Sequence, residues 1–196
     1  MTWKAALRSI VVVGLWLVCS PSYAASEVQM GLTQLVERAN VIGIGTVSDM
    51  HSTQRFFGDY ERVVTDVSLA DVEIVKGGTA PSELIVTQFG GQVGDVVEWY
   101  PGLPTLDAER RYLVFLVHTE LNDAILIGMQ GLFIVETDQE RGVEVVTSAH
   151  GQPVLDIVDD FVQLGAGEQE GAIAEERLPA AMTLEAFLNE IKARMN

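Results

Sequence analysis

Residues 60–76, YERVVTDVSLADVEIVK, constrain the fold more than any other stretch of the chain. Val63, Val67 and Leu69 alternate with Arg62, Asp66 and Ser68, the period of two expected of a strand with one buried face. From Asp71 onward the parity reverses, with Val72 and Ile74 apolar and Asp71 and Glu73 polar. One extra residue near Ala70 restores a single inward face, which is the signature of a β-bulge. A long strand bent in its middle can turn the corner of a small barrel or pass from one sheet to another. Lys76-Gly77-Gly78 ends it with residues suited to positive φ.

Around this strand the chain reads as a series of short β-segments. Residues 41–47, VIGIGTV, predict a short apolar strand with Gly43 and Gly45 on one face, where missing side chains admit a close neighbour. Residues 48–59 read as a hairpin-like excursion. Residues 84–89 are apolar on both faces and predict a central strand, stopped by Gly90-Gly91. Val93, Val97 and Trp99 predict one further strand ahead of the loop with Pro101-Gly102 and Pro104. Residues 111–117, RYLVFLV, predict the most buried strand of all. Segments 124–127, 132–135 and 143–147 follow, with turns at Asn122-Asp123, Gln130-Gly131 and Arg141-Gly142. Such regular spacing of seven or eight strands indicates a mainly-β barrel or sandwich.

Helical patterns flank the strands. Val28, Leu32, Leu35, Val36 and Ala39 share one helical face ahead of Asn40. Near the other end, Leu184, Phe187, Leu188 and Ile191 form an amphipathic stripe, with Thr183 as N-cap and Lys192 and Arg194 near the negative end of the helix dipole. Residues 165–182, rich in Gly, Ala and Glu, read as a flexible linker before a helix over 183–196.

Lys4 and Arg8, the apolar run at 10–18 and Ser22-Tyr23-Ala24 have the form of a secretory signal peptide over 1–24, cleaved after Ala24. Export is therefore expected, to the periplasm or beyond, with one β-domain over 25–164. No stretch reaches the ~20 apolar residues of a membrane-spanning helix, so stable membrane insertion is not expected. Cleavage removes Cys19, the single cysteine, and leaves a core that must hold without disulfides. It also removes two basic residues, so the remainder is more negative than the full chain at −16. Such acidity repels phosphate backbones, and nucleic acid is excluded as a partner.

The chemistry-bearing residues are sparse. His51, His118 and His150 lack any short metal-ligand spacing, so neither a metal nor another cofactor is expected. Ser148 and His150 lie close without an orienting acid, and no nucleophile elbow occurs, which argues against a catalytic serine. Asp156, Asp159 and Asp160 lack the alternating ligands and glycine of a calcium loop and read as a solvated face. Gly90-Gly91 leads from strand to strand, so it has no phosphate-cradle geometry. Trp99 and Tyr100, beside Pro101-Gly102, are the strongest binding candidates, with Phe56 and Phe57 contributing to the same rim. In the simpler structural reading Trp99 plugs the barrel end and Tyr100 lies on the rim.

The succession LTQLVERANVIGIGTV, VEIVKGG, LIVTQFGG, GLPTLDAERRYLVFL and IGMQGLFIV resembles a family of secreted, largely uncharacterised bacterial proteins over residues 32–135. Asn40 stands where that pattern usually has Asp, and Ala108 where it usually has Gly. The resemblance implies a small OB-like Greek-key barrel, similar to netrin and metalloproteinase-inhibitor modules, and some members accompany matrixin-type metalloproteases. Inhibition through an N-terminal cysteine does not carry over, because a chain starting near Ala25 has none. The favoured reading is thus a non-catalytic accessory module binding an extracytoplasmic protein, such as a secreted protease. A glycan-binding envelope module is the alternative, and a hydrolase a third. A glycan site requires a groove with planar aromatics and amide or carboxylate partners, whereas a protein-binding rim exposes an apolar patch.

Overall fold

A computed structural model describes residues 29–78, 82–103, 105–119, 124–165 and 180–195. The expected leader, Val28, Pro104, the expected turn at Asn122-Asp123 and most of the expected linker over 165–182 lie outside the described residues. The elements in chain order are α1 (Leu32–Arg38), β1 (Val41–Phe57), β2 (Tyr60–Lys76), β3 (Leu84–Phe89), β4 (Gly91–Val93), β5 (Val96–Glu98), β6 (Arg111–His118), β7 (Ala124–Leu126), a 3-10 turn (Met129–Gly131), β8 (Leu132–Asp138), β9 (Val143–Ser148), β10 (Val154–Val158), β11 (Phe161–Leu164) and α2 (Leu184–Ala193). The fold is mainly β, with a helix near each end. One antiparallel sheet has the order β3-β2-β1-β6-β8-β9, and β7 pairs with the end of β6. Because β6 returns by a long connection to lie beside β1, the run β6-β1-β2-β3 is a Greek key. Two hairpins, β4-β5 and β10-β11, stand apart from the main sheet.

The bulge expected near Ala70 is present. Ile44 lies opposite Glu73 while Thr46 lies opposite Ala70, so β2 carries an additional residue, and Asp71 takes a φ of 52° there. Val67 and Leu69 before the bulge then pack in the same core as Val72 and Ile74 after it. Gly43 and Gly45 make room for this bend. A Cβ on Gly45 would lie 2.9 Å from Leu69 Cβ and 3.0 Å from the Ala70 carbonyl oxygen, and one on Gly43 would lie 2.9 Å from Leu84 Cδ2.

Three sequence expectations need correction. Residues 48–57 are not a separate excursion but the outer part of β1, which pairs with β2 as far as Phe57↔Tyr60 and turns at Gly58 (φ 63°) and Asp59. Exposure on both faces erases alternation there, yet β2 still satisfies the backbone. Residues 84–89 form an edge strand, not a central one, since β3 pairs with β2 alone among the described strands, and only one of its faces is buried: Leu84 and Val86 pack inward while Ile85 is exposed. Val93 and Val97 belong to two strands of a hairpin that turns at Gly94 (φ 58°) and Asp95.

The middle strands bury both faces. Tyr112, Val114 and Leu116 of β6 join Val41 and Val47 of β1 and Ile134 of β8 in one core. Leu113 and Phe115 join Ile42, Ile44, Phe133 and Val135 in the other, beneath α1 and α2. That second core contains a chain of rings, Phe115 to Phe133 at 6.0 Å and Phe133 to Phe187 at 4.9 Å. Thr183 caps α2 as expected, its Oγ1 accepting from the Ala186 N–H at 3.2 Å. Part of the expected linker is fastened: Met182 donates its N–H to the Val154 carbonyl and accepts at its own carbonyl from the Val146 N–H.

Candidate functional site

Past Thr46, β1 has β2 as its one strand partner among the described residues, and β3 leaves β2 at Val64, so the outer part of the pair forms an arm that is two-stranded at 54–57 and 60–63. The β4-β5 hairpin packs across this arm. Gly90-Gly91 permits the contact. A Cβ on Gly91 would lie 2.4 Å from Thr65 Oγ1 and 2.6 Å from Ser52 Oγ. Thr65 Oγ1 donates to the Gly90 carbonyl at 2.7 Å and accepts from Ser52 Oγ at 2.9 Å. The Gly90 N–H donates to the Val63 carbonyl at 2.8 Å. Thr65 shares the parity of Val67 and Leu69, so the inward face of β2 leads to this junction.

Between arm, hairpin and the following loop lies a cleft of about 160 Å³, bordered by Met50, Gln88, Glu98, Trp99, Tyr100 and Leu103. Tyr100 Oη donates to Glu98 Oε2 at 2.8 Å, and the Val63 N–H donates to the same oxygen at 3.2 Å. The Tyr100 phenol is raised above its ordinary pKa, first by the hydrogen bond to Glu98, then by desolvation and the Glu98 charge, with Arg62 opposing. Phe57 packs on Phe89 at 5.1 Å, and Phe89 meets Tyr100 edge-on at 6.1 Å. Gln88 Oε1 is buried without a hydrogen-bond partner. Such an orphan acceptor costs about 1–3 kcal/mol.

The four most exposed large apolar side chains of the described residues all belong to this region: Trp99 at 75%, Phe56 at 68%, Tyr60 at 67% and Val97 at 66%. Of the four residues singled out from sequence, Phe57 and Tyr100 are joined through Phe89, whereas Phe56 and Trp99 stand in solvent. The simpler reading of the aromatic pair is inverted, since Trp99 is open and Tyr100 is the packed ring. Glu98, Gln88 and Phe89 were not singled out. A signal for Glu98 exists, because residues two apart in extended chain share a face and Glu98 therefore accompanies Tyr100.

No family model, curated protein or solved structure matches this chain.

The remaining candidates lie elsewhere in the fold. His51, His118 and His150 sit exposed on separate elements, and among the described residues no three His, Cys, Asp or Glu side chains gather as metal ligands. A second cavity, about 250 Å³, is bordered by Met30, Leu35, Met129, Phe133, Ser148 and His150. Ser148 Oγ accepts from the backbone N–H groups of His150 (3.3 Å) and Gln152 (3.2 Å), which ties the β9-β10 turn. No acid orients the His150 imidazole among the described residues. Asp159 and Asp160 form the β10-β11 turn with φ of 51° and 72°. Asp160 is bound to Thr33 and Arg194 and is not a solvated ligand face.

Proposed function

We propose that this protein is an exported, non-catalytic binding module that engages another protein through the end formed by the β1-β2 arm, the β4-β5 hairpin and the loop after Glu98. The observation that carries this reading is the gathering of Trp99, Phe56, Tyr60 and Val97, the most exposed apolar side chains described, in one region. Aromatic anchors of this kind dominate protein interfaces, where they bury large area at low entropic cost. The cleft beside them is smaller than the ~300 Å³ at which small-molecule sites begin, and suits one inserted side chain. Phe57, Phe89 and Tyr100 form a packed ring cluster that joins the arm to the loop after Glu98.

Glycan binding is the second reading, favoured by the amide of Gln88 and the carboxylate of Glu98 beside Trp99 and Tyr100. Affinity capture from the exported fraction of the source cells, using the chain with and without Phe56→Ala and Trp99→Ala, tests the primary reading. Retention of one protein by the parent and its loss from the double variant is expected. Equal retention by both overturns the reading.

A further inference from the structure

We infer that the residue a partner inserts into this cleft is basic, an arginine or lysine held between Glu98 and the rings of Trp99 and Tyr100. The inference rests on the binding-module reading above and supplies the chemistry of its partner. The hydrogen-bond pattern of the cleft supports it. The Tyr100 hydroxyl hydrogen is committed to Glu98 Oε2, which also receives the Val63 N–H, and the Thr65 hydroxyl hydrogen is committed to the Gly90 carbonyl. Acceptors predominate in what remains: Glu98 Oε1 receives no hydrogen bond from a described residue, Gln88 Oε1 is buried and unpartnered, and Tyr100 Oη keeps its lone pairs, while the Gln88 amide N–H group and the Trp99 indole N–H are the donors beside them. Guanidinium and ammonium groups are donors without acceptors, so they complement this set.

Charge and shape point the same way. Asp49, Asp59, Glu61 and Asp95 lie on the arm and on the hairpin that carries Glu98. Of the two arginines there, Arg55 is paired with Asp66, and Arg62 lies over the Tyr60 ring at 5.5 Å, where its charge also reaches the Tyr100 phenol and offsets part of the local acidity. The whole chain, at −16, attracts a basic partner over distance. Exposed Trp99 offers an aromatic face to a cation. A volume of about 160 Å³ accommodates the end of one long side chain.

Trp99 is one of three tryptophans, the others being Trp3 and Trp16, so Trp3→Phe and Trp16→Phe leave it as the sole fluorophore of its kind. That chain would be titrated with the peptides acetyl-Gly-Arg-Gly-amide and acetyl-Gly-Lys-Gly-amide, with the neutral citrulline analogue, and with chitotriose. Saturable change in Trp99 fluorescence with the basic peptides is expected in the millimolar range, about tenfold weaker with citrulline, and weaker for all charged probes in high salt. Glu98→Gln, which keeps an acceptor for the Val63 N–H, is expected to erase the preference for arginine over citrulline without moving the melting temperature. Equal binding of citrulline, an unchanged preference in Glu98→Gln, or a response to chitotriose alone overturns the basic anchor. If the captured partner is lost with Phe56→Ala and Trp99→Ala yet kept by Glu98→Gln, the binding surface stands and the basic anchor falls. If the surface variants keep the partner, the binding-module reading falls first, and the titration still decides what the cleft takes.

Discussion

Asp160 shows how one side chain can hold three elements together. From the β10-β11 turn it accepts from Thr33 N–H at 3.1 Å and Thr33 Oγ1 at 2.8 Å, while its carbonyl takes the Leu32 N–H at 2.7 Å. It thereby caps α1, seven residues long and too short to persist alone. Arg194, just past α2, donates its Nε–H to Asp160 Oδ1 at 2.9 Å. Gly31 leaves space for this carboxylate, since a Cβ there would come 2.3 Å from Asp160 Oδ2. At the other end of α1, Lys76 Nζ donates to the carbonyls of Val36 (2.7 Å) and Ala39 (2.8 Å), where a cation also suits the helix dipole. Asp160→Ala is expected to destabilise the protein by about 2 kcal/mol, combining a lost cap and a partly exposed ion pair, as read by urea denaturation. Desolvation pushes the Asp160 carboxyl up, but hydrogen bonds from Arg194 and Thr33 and the Arg194 charge outweigh it and hold the pKa below the ordinary carboxylate value. Its charge therefore contributes stability above the unfolded value of about 3.9, and this is lost as pH falls through the lower folded value. Asp160→Asn should flatten the acid limb of a stability-versus-pH curve in that window, and an unchanged limb would refute the assignment. None of this was legible in the sequence, where Asp160 reads as one acid in a cluster, because Thr33 and Arg194 reach it from distant segments.

At the scale of elements, β2 was the most legible part of the chain. Its parity switch located the bulge because alternation is a local consequence of one buried face, and both halves of the strand face the same core. Asp71, at φ 52°, adopts a conformation that glycine takes without strain. Asp71→Gly is expected to stay folded with stability changed by less than about 1 kcal/mol. Deleting Asp71 would turn Val72 and Ile74 away from the core and is expected to abolish cooperative unfolding, seen as loss of a sigmoidal denaturation curve. A deletion variant of native stability would show that the bulge does not set the register. The outer part of β1 was less legible for the complementary reason. With both faces largely exposed, its side chains carry no period, and only its pairing with β2 makes it a strand. The edge position of β3 was equally hidden, since sheet order depends on which strand returns beside β1.

For the whole molecule, the two cores share β1, β6 and β8 and should melt together. Phe187, fully buried against Phe133, links α2 to that shared wall. Phe187→Ala is expected to cost about 3–5 kcal/mol and to lower a single calorimetric transition, whereas two separated transitions would show that the helical layer unfolds independently. Phe56→Ala and Trp99→Ala, at exposed positions, should leave that transition within about 0.5 kcal/mol of the parent. Sequence alone determined the mainly-β class, the two helical faces, the bulge and the candidate aromatics, because periodicity and turn chemistry are written in neighbouring residues. Tertiary structure alone decided that Gly90-Gly91 would seat a hairpin on the arm, that Tyr100 would pack while Trp99 stayed open, and that Gln88 and Glu98 would border one cleft. Those outcomes depend on β1 and β2 being brought against residues 88–103 from elsewhere in the chain, and the strand pairing that does this is non-local.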